Sequence, residues 1–138
     1  MKIYFSGSMY GGRQKLDTYK KLINELDKYG DVLNKEVADD DVLIKEQDML
    51  DNEIFENLEN ELNETDLVFA ELTVASLGVG YELGYADSHN KRIIGIYDKN
   101  ITPKITTMLR GNKRLKIIPY TDINEIIVDL ENIIREEN

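Results

Sequence analysis

The stretch SLGVGYELGYA, residues 76 to 86, passes from a glycine-punctuated turn into a helix and sets Glu82 between Gly80 and Gly84. A carboxylate there is either a glutamate that complements the helix dipole or a reactive group. The pattern puts Glu82 within the first turn of the helix, where the positive end of the dipole favours the ionised form. Its chemistry is then expected to be that of a base or nucleophile rather than an acid. Gly80 and Gly84 remove side chains from one face, which suits close approach by another group.

A second loop, SGSMYGGR (residues 6 to 13), carries Gly7, Gly11 and Gly12 together with Ser8 and Arg13. Its glycines let backbone N–H groups come close to an anion, the helix N-terminus that follows favours negative charge, and Arg13 supplies a fixed cation. The loop is neither a GxGxxG fingerprint nor a Gly-Lys-Ser/Thr phosphate loop. A plain glycine-rich turn would read the same way. Tyr4 precedes this loop inside a strand, and its hydroxyl needs a partner when buried. It is an orienting group for Glu82 or an ordinary core tyrosine.

Both loops follow short apolar segments, and the rest of the chain keeps that rhythm. Strands are expected at KIYFSGS (Lys2 to Ser8), DVLN, DLVFAEL (Asp66 to Leu72), RIIGIY (Arg92 to Tyr97) and LKIIPY. Helical spacing links Leu16, Tyr19, Ile23 and Leu26, with a glycine stop at Gly30, and then Ile54, Leu58 and Leu62. The segment from Lys35 to Asn52 has little periodicity and reads as an exposed acidic loop with room for a short helix. Another short helix ends at Gly111. The last helix opens on the capping box DINE and carries Ile123, Ile126, Ile127, Leu130, Ile133 and Ile134, a face broad enough to serve a dimer contact as well as a core. Short apolar strands alternating with helices argue a parallel sheet covered on both faces, with ligands bound beyond the carboxyl ends of its strands.

At 138 residues, 41% apolar and 32% charged, the chain fits a single domain spanning 1–138. No apolar run reaches the ~18–20 residues of a membrane span, and MKIYFSGS turns polar too soon for a signal peptide. A net charge of −10 repels nucleic acid and anionic membranes, but a phosphate-bearing small molecule can be held by a local nest of N–H groups. With no cysteine, disulfides are excluded and a cytoplasmic location is the default expectation. The one histidine, His89, makes a histidine metal site or a Ser-His-Asp triad improbable, and no metal or other cofactor is expected.

IYFSGSMYGGR, AELTVASLGVGYELG and TTMLRG together resemble the 2'-deoxynucleoside 5'-monophosphate N-hydrolases of the nucleoside 2-deoxyribosyltransferase superfamily, over nearly the whole chain. The resemblance implies a flavodoxin-like, five-stranded parallel sheet, a homodimer, and cleavage of a deoxynucleotide to free base and 2-deoxyribose 5-phosphate. It makes Glu82 the nucleophile and Tyr4 its orienting partner. It assigns substrate contacts to Gly7, Ser8, Met9, Gly11, Arg13, Ser76 and Gly78, with Thr106 and Met108 reaching the neighbouring subunit's site. Two positions depart from the family: Leu58 stands where an aspartate handles the proton of the leaving base, and Tyr10 where an arginine is common. Nucleoside 2-deoxyribosyl transfer, and nucleotide binding with little or no turnover, are the competing readings. Base preference and discrimination against ribonucleotides are not legible.

Overall fold

The computed structural model describes residues 1–9 and 15–136. Its elements are β1 (Lys2–Gly7), α1 (Leu16–Leu26), β2 (Asp31–Val32), α2 (Val42–Glu46), α3 (Asp51–Glu64), β3 (Leu67–Glu71), α4 (Leu77–Ser88), β4 (Arg92–Asp98), α5 (Thr107–Arg110), β5 (Lys116–Tyr120) and α6 (Ile123–Arg135), with a 3-10 turn at Lys35–Ala38. All four strand pairings are parallel, in the order β2-β1-β3-β4-β5. This is the flavodoxin-like order, and its reversal lies between β1 and β3.

The central strands are buried on both faces: every residue of β3 is buried, as is every residue of β1 after Lys2. Alternate side chains feed two apolar layers. Ile3, Phe5, Leu67 and Phe69 pack with α1 and α6, while Tyr4, Val68 and Ala70 pack with Leu62 of α3 and Val79, Leu83 and Ala86 of α4. The period-2 alternation of β1 therefore sends Tyr4 and Ser6 toward α4, the helix that carries Glu82.

The edge strand β2 is only two residues long, yet β1 does not lose its edge bonds. The buried Asn34 side chain accepts from the Phe5 N–H at 2.8 Å and donates to the Phe5 carbonyl at 2.7 Å, so an amide replaces the next strand residue. The acidic stretch after it is more ordered than its sequence pattern suggests, forming the 3-10 turn and α2. The capping box of α6 is present, with Asp122 accepting from the Asn124 N–H at 2.9 Å. Its broad apolar face is spent on the core: Ile126, Leu130, Ile133 and Ile134 are buried, and Ile123 and Ile127 pack against them. A dimer contact through that face is therefore not supported.

Candidate active site

A cavity of roughly 390 Å³ opens at the carboxyl ends of β1 and β3, beside the point where the strand order reverses. On the sheet side it is lined by Tyr4, Gly7, Met9, Ser76, Gly78 and Glu82, and across from them by Glu36, Val42, Glu46, Asp51, Ile54, Phe55 and Leu58. The first set comes from β1, its loop and α4. The second comes from the 3-10 turn, α2 and α3.

Among the described residues, Glu82 is the one carboxyl that lines the cavity on the sheet side. The Ser6 hydroxyl donates to its Oε2 at 2.7 Å, and the Tyr4 hydroxyl also hydrogen-bonds to it. Two strand residues on one face thus hold the carboxyl from below. Burial raises the Glu82 pKa from 4.5 to about 7, and the bonds from Ser6 and Tyr4 only partly pull it back. The expectation that the helix dipole would keep Glu82 ionised is corrected here. Because α4 begins at Leu77, Glu82 lies in the second turn, beyond the strongest influence of the helix end, and desolvation prevails. The Tyr4 hydroxyl is itself pushed well above its usual range by burial and by the neighbouring Glu82 and Glu61 carboxyls, so it stays a donor.

The N-terminus of α4 completes this side. Ser76 caps the helix, its Oγ accepting from the Val79 N–H at 3.3 Å, while the Leu77 and Gly78 N–H groups have no acceptor within the helix. The loop before it is anchored by Glu71, fully buried at the end of β3. Its carboxylate accepts from the Thr73 N–H at 2.7 Å, from the Thr73 hydroxyl at 2.9 Å and from the Tyr120 hydroxyl. The Thr73 hydroxyl also accepts from the Asp98 N–H at 2.9 Å, tying β3 to β4 just before the α4 loop.

Of the residues singled out in the sequence, Tyr4, Gly7, Met9, Ser76, Gly78 and Glu82 share this cavity. Ser8 is buried beside it, its carbonyl accepting from the Tyr19 hydroxyl at 3.1 Å. Gly7 has a packing role too, since a Cβ there would sit 2.9 Å from Cζ of Tyr19. Gly11 and Arg13 lie outside the described residues. Thr106 and Met108 are absent from the cavity; they line a separate groove with Ser76, Leu77 and Gly80, and Met108 is 80% exposed. A Cβ at Gly80 or Gly84 would meet nothing within 4 Å, so none of the described residues makes the close approach their spacing suggested. Leu58 packs against the second core layer and also lines the cavity.

Sequence reasoning missed Ser6. The signal was available, since Ser6 is two residues beyond Tyr4 on one strand face. Phe55 was also passed over as a site residue: it lines the cavity half-exposed and meets Tyr81 edge-on, ring centroids 6.3 Å apart.

The model of the family described as nucleoside 2-deoxyribosyltransferase matches residues 3–115. The chain belongs to that family. Among its relatives, the 5-hydroxymethyl-dUMP N-hydrolase of Danio rerio is 36% identical over 137 residues, covering 99% of this chain and 94% of the fish protein. That of Rattus norvegicus is 39% identical over 125 residues, covering 87% and 77%. The solved structure of the Clostridium botulinum CMP N-glycosidase BcmB superposes with a TM-score of 0.72 over 96% of this chain and 99% of that one. At 20% identity, this last likeness concerns the nucleoside 2-deoxyribosyltransferase fold alone.

Proposed function

We propose that the protein hydrolyses the N-glycosidic bond of 2'-deoxynucleoside 5'-monophosphates, releasing the base and 2-deoxyribose 5-phosphate through a glycosyl ester on Glu82. The observation that carries this reading is the Glu82 carboxyl, desolvated and held by Ser6 and Tyr4 at the floor of a nucleotide-sized cavity. The phosphate would lie at the α4 N-terminus near Ser76 and Gly78 and against the first loop through Gly7, Ser8 and Met9, with Gly11 and Arg13 continuing that loop. The sugar would lie over Glu82, and the base against Ile54, Phe55 and Leu58.

A deoxyribosyl centre lacks the electron-withdrawing 2'-hydroxyl, so positive charge develops readily at C1' and one carboxylate suffices to trap it. Only the ionised form can attack. With a pKa of about 7, Glu82 is about half ionised at neutrality, and turnover should climb as pH rises through that value. The relatives named as 5-hydroxymethyl-dUMP N-hydrolases support the same bond and a deoxynucleotide substrate. The working unit is a homodimer in which Thr106 and Met108 reach the neighbouring site, consistent with the exposure of Met108 beside an apolar groove.

Transfer of the deoxyribosyl group to a second base is the competing reading, favoured by the family's own description. Incubation with several deoxynucleoside monophosphates, with and without a second free base, separates the two. Free base and sugar phosphate without exchange are expected, and Glu82→Gln should release neither. Tight nucleotide binding without any product would leave a binding module in place of an enzyme.

A further inference from the structure

Departure of a base from C1' leaves an electron pair on its ring nitrogen, and protonation of that base is worth ~10²–10⁴-fold in rate. Leu58 cannot supply the proton. With the sugar over Glu82, the base must lie along the opposite wall, so its proton has to come from a group there. The titratable groups on that wall are Glu36, Glu46 and Asp51, set among Val42, Ile54, Phe55 and Leu58.

These three carboxyls differ in their access to water. Glu36 and Asp51 are exposed, whereas Glu46, at the end of α2, is partly withdrawn from solvent. Glu46 also borders the adjoining cavity of roughly 410 Å³, which shares Glu36, Val42, Ile54 and Leu58 with the first. Glu46 and Leu58 thus both line the two adjoining cavities. Burial and the neighbouring charge of Glu36 both raise the Glu46 pKa above the usual glutamate value. Lys45, next to it in sequence, does not offset this, since its ammonium is engaged by Asp39 at 3.1 Å and Asp41 at 3.2 Å.

We propose that Glu46 is the proton donor to the leaving base, doing from α2 what no side chain at position 58 of α3 can do. The assignment rests on the N-hydrolase reading. As a Glu82 oxygen bonds to C1', the C1'–N bond breaks and its electron pair stays on the base. The Glu46 carboxyl gives its proton to a ring nitrogen or carbonyl oxygen of that base. In the second half, water attacks C1' of the Glu82 ester and gives its proton to the Glu46 carboxylate, restoring both glutamates.

The rival is Glu61, on α3 one turn beyond Leu58. Its Oε2 is buried without a hydrogen-bond partner, and burial with the charges of Glu36 and Glu82 raises its pKa to about 7. It lines only the adjoining cavity, however, and not the one that holds Glu82.

Leaving-group dependence separates these roles. Full-length wild type, Glu46→Gln, Glu61→Gln and Glu82→Gln are compared on deoxynucleoside monophosphates and on 4-nitrophenyl 2-deoxyribofuranoside 5-phosphate, whose nitrophenolate departs without a proton. Glu46→Gln should lose ~10²–10⁴-fold in the single-turnover rate of base release from the nucleotides yet remain within about threefold of wild type in the first-turnover burst of nitrophenolate, before the Glu82 ester must be hydrolysed. Glu82→Gln should lose both activities. Equal losses by Glu46→Gln on both substrates, no loss on nucleotides, or the selective pattern in Glu61→Gln would each overturn the assignment. A wild-type protein that cleaves neither substrate removes the hydrolase reading, and the assignment with it.

Discussion

Between pH 4.5 and about 7, the folded chain holds a proton on Glu82 that the unfolded chain releases. The unfolded state therefore binds fewer protons in that window, and stability contributed by this group falls as pH rises through it. A rise from 4.5 to about 7 corresponds to ~3 kcal/mol at ~1.4 kcal/mol per pH unit. Glu82→Gln removes the penalty while its amide oxygen still accepts from the Ser6 hydroxyl. The variant should match wild type near pH 4.5 and exceed it by ~3 kcal/mol above about pH 8, while losing turnover. Glu61 adds in the same direction, because part of its own raised pKa comes from the Glu82 charge. Urea unfolding of both chains at intervals from pH 5 to pH 8 reads the effect as a midpoint difference growing to ~1–3 M. A pH-independent difference, or a less stable glutamine variant at pH 8, would refute the burial argument.

Ser6→Ala deletes a charge-assisted bond worth ~1.5–3 kcal/mol, so the Glu82 pKa should climb further and the acid limb of kcat/KM should move up by about one pH unit or more. An unmoved limb would leave Ser6 a merely structural residue. Glu71→Leu strands the Thr73 N–H and the Tyr120 hydroxyl in the interior; a loss of ~2–5 kcal/mol in thermal or urea unfolding is expected, and a neutral result would mean water reaches them. Met108→Asp places a charge on the exposed apolar groove, and sedimentation should show dissociation to monomers with a parallel fall in turnover. Full activity in a monomeric variant would remove the neighbouring subunit from the site.

The sheet was largely legible because β1, β3 and β4 are buried on both faces and read as apolar runs. β2 was expected as a short strand at DVLN, but its end at Val32 was not visible: the Asn34 side chain takes over strand pairing at a position whose sequence continues the run. The acidic stretch after it left room for a short helix but did not show where α2 lies, because five residues offer too little periodicity. That Glu82 lines a cavity was expected from its glycine-flanked motif, but its electrostatics were not. Its distance from the helix end depends on where α4 begins, and its burial depends on α3, which closes the far wall from some thirty residues away in sequence. Glu71 passed as an unremarked strand residue for a related reason. Its partner Tyr120 is 49 positions distant, a pairing that only the β3-β4-β5 order creates.

Rapid-quench peptide mapping by mass spectrometry tests the nucleophile most directly. During turnover of a deoxynucleoside monophosphate, a 2-deoxyribose 5-phosphate ester should appear on the peptide containing Glu82 and be missing in Glu82→Gln. An adduct on another residue, or wild-type turnover by Glu82→Ala, would contradict the account.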